Sequence, residues 1–371
     1  GRVIAKRKMG KISFLDIKDG MGKIQVFCQR SNLNELQQGL LKALDIGDFA
    51  SVRGGVFRTK SGEPTIDATE LTMLTKSLKP LPEKWHGLQD VDTRFRQRYL
   101  DLISNPEVKE TFIMRSRIIS SIRSFLDDRG FLEVETPLLQ PSAGGAMARP
   151  FTTHHHALDR DLYLRIALEL YLKRLVIGGY DKVYEIGRVF RNEGLSTKHN
   201  PEFTMLESYQ AYADYKAVMN MLEEMVSSVV KKVCGGYEVA YGGHKIDFKP
   251  PWKRLSLKQA VKDNTGIDYE EFPDAQTLGE EIQKIDVNID AKRDRGKLID
   301  DLISTFVEPK LIQPTFLVDY PTDMSPLAKN KPGDPDTVER FEAFAGSMEI
   351  ANAFTELNDP IDQLERFEAQ L

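Results

Sequence analysis

Tyr184-Glu185-Ile186-Gly187-Arg188-Val189-Phe190-Arg191-Asn192-Glu193-Gly194, followed by Lys198-His199-Asn200-Pro201-Glu202-Phe203-Thr204-Met205-Leu206-Glu207, is the stretch from which the fold is read. Its ends fall in two β-rich segments, Val183–Phe190 and Glu202–Ala213. A polar loop joins them, so the pattern by itself predicts a hairpin with a charged turn.

Working outward, residues 214–233 predict a helix, 237–310 a mixed and mainly helical region, and Thr315–Asp319 and Arg340–Glu356 further strands. Upstream, 162–176 reads as helix. Val108–Arg129 is a long amphipathic helix stopped by Gly130, and Phe131–Leu139 a strand carrying a proline near its end. Asp92–Leu102 is charged and helical. Lys79-Pro80-Leu81-Pro82 is a stiff, extended break. Before it, Arg2–Arg7, Ile12–Ile17 and Ile24–Cys28 are strand-like, and Leu33–Leu44 has helical periodicity. Phe49–Phe57 and Thr65–Leu74 follow as strands. Three strands, a helix and two strands is the order of an OB-fold, a small barrel that binds oligonucleotides.

The chain has 371 residues, 41% hydrophobic and 29% charged, an ordinary globular composition with no run long enough to span a bilayer as a helix. No stretch at the start reads as a signal peptide. Cys28 and Cys234 are the only cysteines and form no CxxC, which argues against a structural zinc site and a disulfide framework and fits a reducing cytoplasm. His154, His155 and His156 are adjacent, a spacing that rarely converges on one ion. The net charge of −5 is unevenly spread: residues 1–80 hold 14 Lys and Arg against 8 Asp and Glu, the remainder 37 against 48. A basic module on an acidic body fits polyanion binding, or is a solvated basic face. No GxxxxGK[ST], GxGxxG or HxGH pattern occurs.

The opening stretch fits FRxE–loop–(H)xPEFTxxE and resembles motif 2 of class II aminoacyl-tRNA synthetases. Arg129-Gly130-Phe131-Leu132-Glu133-Val134-Glu135-Thr136-Pro137, after its long helix, resembles motif 1. The runs Gly144-Gly145-Ala146-Met147-Ala148-Arg149-Pro150-Phe151-Thr152-Thr153-His154-His155-His156-Ala157-Leu158-Asp159 and Tyr163-Leu164-Arg165-Ile166-Ala167-Leu168-Glu169-Leu170-Tyr171-Leu172-Lys173-Arg174-Leu175 resemble the lysyl-tRNA synthetases, subclass b, of bacterial type. Leu168 departs from them, since many members carry proline there. The resemblance implies an α+β protein. A five-stranded OB-fold β-barrel, residues 1–80, binds the anticodon. A linker, 81–98, leads to a class II catalytic domain, 99–371, with an antiparallel β-sheet flanked by helices.

The same resemblance implies a lysine–tRNA ligase with L-lysine, ATP and tRNA(Lys) as partners and Mg2+ on the phosphates. A homodimer would form through Val108–Pro137. Arg191 would hold the α-phosphate and the substrate carboxylate, because a guanidinium grips such groups with two hydrogen bonds. Glu193, His199, Asn200 and Phe203 would complete the ATP site, with adenine on the Phe203 ring. Glu342 and Glu349 would bind both ATP and magnesium through oxygen. Gly145, Glu169, Arg191, Glu207, Tyr209, Asn352, Phe354 and Glu356 would line the lysine pocket. Carboxylates suit an ammonium and aromatic walls suit its stem. Arg7, Phe14, Gln25 and Glu63 would read the anticodon, by stacking and polar contacts.

Nothing after Glu356 resembles the glycine-rich motif 3 of the class. The expectation is that residues upstream of Gly1 and a motif 3 beyond Leu371 lie outside this sequence. Three alternatives stay open. One is a catalytically incomplete dimeric tRNA-binding fragment and another an aspartate- or asparagine-type synthetase. The third is a paralogue that lysylates a protein, which residues 1–80 argue against because such paralogues usually lack the barrel.

Overall fold

The computed structural model describes residues 1–81, 87–196, 199–285, 289–290 and 292–370; Pro82 of the proline break and Lys198 of the hairpin loop lie outside them. Two compact units divide the chain, Gly1–Ile113 and Met114–Leu371.

The first unit begins with β1 (Arg2–Met9), β2 (Ile12–Lys18), β3 (Lys23–Gln29), α1 (Glu35–Ala43), β4 (Phe49–Arg58) and β5 (Pro64–Thr75). These strands close into a barrel in the order β1-β2-β3-β5-β4. Side chains alternate along each strand. Leu15 and Ile17 therefore point inward to Val3, Val26, Cys28, Leu44 and Leu71, while Phe14 and Asp16 take the opposite face. Closure needs Gly54, since a Cβ there would stand 1.8 Å from the Asp67 carbonyl oxygen. The expected Asp92–Leu102 helix is two short ones, α2 (Val91–Arg96) and α3 (Arg98–Ser104), broken at the non-helical Gln97.

Helix α4 (Pro106–Asp127) runs across the division between the units. The strand expected over Phe131–Leu139 shrinks to β6 (Leu132–Glu133) and β7 (Leu139–Gln140). Pro137 has no N–H for a ladder, and the Thr136 N–H is drawn aside by the Glu185 carboxylate, 3.1 Å away. The helix expected over 162–176 is also corrected. Its first part is β9 (Arg160–Leu164), hairpinned to β8 (Thr152–His155) after a left-handed turn at Asp159. Only α5 (Glu169–Ile177) is helical. A short apolar run does not reveal its period, and strand pairing decided it.

β10 (Lys182–Phe190) and β11 (Glu202–Gln210) form the predicted hairpin in register, with β6 parallel on the far edge of β10. Then come α6 (Tyr215–Cys234), a small hairpin of β12 (Glu238–Tyr241) and β13 (His244–Asp247), and β14 (Lys253–Ser256). Helices α7 (Leu257–Thr265), α8 (Ala275–Ile282) and α9 (Arg295–Leu302) follow. They pack Leu257, Val261, Leu278, Leu298 and Leu302 onto Leu317, Val338 and Phe344 of a second sheet. That sheet holds β14, β15 (Thr315–Pro321), β16 (Asn330–Lys331), β17 (Asp334–Ala345) and β18 (Met348–Phe354); α10 (Pro360–Gln370) ends the described chain.

The hairpin is buried on both faces. Tyr184, Ile186 and Leu206 pack against Phe125 and Leu126 of α4 and Met225 and Val229 of α6. Val183, Val189, Phe203, Met205 and Tyr209 pack against Leu168 and Leu172 at and within α5. Filling of both faces fixes the register, because a one-residue slip would exchange them.

Candidate active site

The period of two along β11 puts Phe203, Glu207 and Tyr209 on the α5 side of the hairpin, with Arg191 just beyond the end of β10. Across the pair Glu185 stands directly opposite Glu207, an arrangement of like charges that costs energy unless answered. Arg165 answers the first. It is 2% exposed, and its Nη1 lies 2.6 Å from Glu185 Oε1, while its Nε donates to the Arg188 carbonyl oxygen at 2.8 Å. Glu185 Oε2 accepts from both the Thr136 amide and hydroxyl. This buried cluster ties the β6–β7 segment to the hairpin. Gly187 makes room for it, since a Cβ there would meet Arg165 Nη2 at 2.2 Å.

Glu207 is answered differently. Its Oε1 accepts the Leu168 N–H at 2.9 Å, and its Oε2 accepts the Tyr209 hydroxyl at 3.3 Å. Burial, the largest influence, raises its pKa above the usual carboxylate value, and the Glu169 charge adds to this. The two hydrogen bonds and the Arg191 charge oppose it. Burial beside these carboxylates also pushes the Tyr209 phenol far up, so it stays a donor. Leu168 is thus more than a tolerated departure: its amide is a ligand of Glu207, which a proline could not be.

Next to Glu207 lies a second set. Lys173, one turn on from Glu169 in α5, places Nζ 2.6 Å from Glu169 Oε1 and 2.8 Å from Glu356 Oε2. The same ammonium lies 5.8 Å from the centre of the Phe354 ring. Burial pulls the Lys173 pKa down, but the Glu356 and Glu169 carboxylates outweigh it and the net shift is upward. Burial also leads a rise at Glu356, which Lys173 opposes. Gly145 borders the set with φ +84°, where a Cβ would stand 3.2 Å from Glu169 Cβ. Glu169, Glu207, Tyr209, Phe354, Glu356 and Gly145 therefore form one neighbourhood, and Lys173 stands in it as an ammonium already in place.

Asn352 belongs to another group. It faces Glu342 across β17 and β18, and its Oδ1 accepts from Arg340 Nε at 3.2 Å. Arg340 also pairs with Glu342 at 2.5 Å and lies over the Tyr320 ring. Glu349 keeps an exposed edge, yet burial and then the Glu342 charge push its pKa up to about 7. Two carboxylates that repel each other, with Arg340 as a nearby cation, are a donor set suited to a divalent ion. Among the described residues no set of three His, Cys, Asp or Glu side chains could hold a metal, so further oxygens would come from water or phosphate.

Arg191 lies over the Phe203 ring, 5.3 Å from its centre, and its Nε donates to the Ile166 carbonyl oxygen at 3.3 Å. Cation and ring thus share one surface. Glu193, His199 and Asn200 are exposed on the loop. His199 is bound within that loop, its Nδ1 2.9 Å from the Ser196 hydroxyl.

In the barrel, Arg7 pairs with Asp16 at 3.2 Å, and Gln25 bonds both Glu63 and Thr65. Phe14 lies 5.3 Å from Phe27, and Phe27 lies 6.2 Å from Phe57. Sequence reasoning named only the first of this aromatic row. It also left Arg165, Glu185 and Lys173 without roles. The Glu169–Lys173 spacing was a readable helical pair, whereas the Arg165–Glu185 contact had no local signal.

Residues 90–371 match the family described as tRNA synthetases class II (D, K and N), and residues 1–74 match the OB-fold nucleic acid binding domain. A lysine–tRNA ligase of Dehalococcoides mccartyi is 62% identical over 371 residues, all of this chain and 74% of its own length. Lysine–tRNA ligases of Moorella thermoacetica and Thermoanaerobacter pseudethanolicus are 57% and 53% identical. Each is matched by the whole of this chain, over 76% and 74% of its own length.

Proposed function

The chain belongs to the class II tRNA synthetases of the D, K and N group, and from that premise we propose that it is a lysine–tRNA ligase. It activates L-lysine with ATP to lysyl-adenylate and pyrophosphate, then passes the lysyl group to the 3′ end of tRNA(Lys). One observation carries the amino-acid assignment. Glu169 and Glu356 already hold an ammonium, that of Lys173, with Glu207 adjacent and Tyr209 and Phe354 as walls. An aspartate or asparagine pocket would not gather three carboxylates.

Activation here is positioning plus electrostatics. Arg191 draws the substrate carboxylate and the α-phosphate together, so that oxygen attacks phosphorus and pyrophosphate leaves. Phe203 carries the adenine, and Glu193, His199 and Asn200 reach the nucleotide from the loop. Glu342 and Glu349 would hold Mg2+, which when bound offsets phosphate charge. Asn352, which accepts from Arg340 beside Glu342, would contribute to the lysine pocket from that side.

The barrel, residues 1–80, reads the anticodon with Phe14, Arg7, Gln25 and Glu63; 81–98 link it to the catalytic domain, 99–371. A homodimer through Val108–Pro137 is supported by apolar side chains left open within it, Met114 at 45% and Leu132 at 47% exposure. The cytoplasm, where tRNA is charged, is the proposed location. Calorimetry with lysine, aspartate and asparagine tests the reading, together with lysine-dependent pyrophosphate exchange. Binding of aspartate in preference to lysine would overturn it.

A further inference from the structure

Lys173 has no part in the chemistry above, yet it sits among the pocket's carboxylates. Charge counting gives it one. Glu169, Glu207 and Glu356 contribute three negative charges when ionised, and Arg191 and Lys173 two positive. Beside the pocket, Arg165 pairs with Glu185 and Arg340 with Glu342, while Glu349, next to Glu342, is there with or without Lys173 and does not enter the comparison. The pocket is then net −1, and lysine, with two ammonium groups and one carboxylate, is net +1. Without Lys173 the pocket would be net −2 and would match a dication.

We propose that Lys173 is a positioning and specificity residue: its ammonium, fixed between Glu169 and Glu356, sets the pocket's charge to match the amino acid and to disfavour the diamine that lacks the carboxylate. This rests on the lysine reading. The geometry supports a permanent counter-ion. Glu169 and Lys173 are one turn apart on α5, so their pair needs no distant segment to form. Lys173 is a quarter exposed and Glu169 an eighth, which shields the pair from screening more than a surface pair. The upward shift of the Lys173 pKa keeps it charged at neutral pH. A diamine is the relevant competitor, because it fits an ammonium site and an apolar channel as well as lysine does. The diamine offers Arg191 no carboxylate to bind, and Lys173 adds a rejection by charge.

The test is calorimetry at neutral pH on the full chain with L-lysine and with 1,5-diaminopentane, lysine without its carboxylate. The parent should bind lysine in preference. In Lys173→Met the affinity ratio should move toward the diamine by roughly tenfold or more, since one unit charge inside a partly buried site is removed. Lys173→Arg should hold the ratio near the parent's. Lys173→Gln is the second neutral variant should the methionine chain not fold. A merely structural lysine would weaken both ligands alike, and an unchanged ratio in a folded neutral variant overturns the proposal. A parent that binds lysine no better than aspartate overturns instead the reading on which it rests.

Discussion

The amide of Leu168 offers a sharp test of how the pocket is tuned. Leu168→Pro removes, besides the buried leucine side chain, the hydrogen of an N–H lying 2.9 Å from Glu207 Oε1. Proline suits the start of a helix, and Leu168 directly precedes α5. A hydrogen bond to a charged group is worth roughly 1.5–3 kcal/mol, and one pKa unit corresponds to about 1.36 kcal/mol. The Glu207 pKa, already raised chiefly by burial, should therefore climb further when the ionised form loses that bond. On the proposed reading lysine needs the ionised carboxylate. Binding is present above the Glu207 pKa and lost as pH falls through it, so the acid limb of lysine binding should move to higher pH. Calorimetric titrations from about pH 5 to about pH 8 read this limb directly. Leu168→Ala is the control. It keeps the N–H but empties a fully buried site, so it should cost roughly 2–5 kcal/mol of stability and leave the limb in place. If the proline variant melts cooperatively and its limb coincides with that of the alanine variant, the amide does not tune Glu207.

Three further outcomes are expected. Arg191→Ala should slow lysine-dependent pyrophosphate exchange by roughly 10²-fold or more, through loss of a charge-assisted grip on developing phosphate charge; exchange within a few-fold of the parent would remove Arg191 from activation. Gly187→Ala should push the Arg165 guanidinium off Glu185, and breaking a buried pair costs roughly 3–5 kcal/mol. The urea midpoint should fall by about 1 M or more, and an unmoved midpoint would mean that the pair accommodates a methyl group. Phe27→Ala, which takes out the middle ring of the Phe14–Phe27–Phe57 row, should weaken tRNA binding about tenfold or more by lost stacking. Unaltered affinity in a filter-binding assay would place the bases elsewhere.

By itself the sequence determined the element order of the barrel, the hairpin and the family. Each is written locally: alternation in strands of five to ten residues, and a motif whose residues are contiguous on either side of one loop. Phe14 could not be assigned by pattern alone, because a barrel strand has two faces. Only closure of the sheet, which turned Leu15 and Ile17 inward, put Phe14 outside beside Phe27. The segment 162–176 was misread as one helix, because its strand half is defined by pairing with Thr152–His155. Tertiary structure alone decided the electrostatics of the pocket. Glu185 and Glu207 look alike in sequence, but one is neutralised by Arg165 and the other keeps a raised pKa beside an amide. Lys173 meets Glu356, 183 positions later, only when α5 and the strand end at Phe354 are packed together. Such contacts join residues whose separation along the chain carries no periodic signal. Their strength depends on burial, which no local window contains.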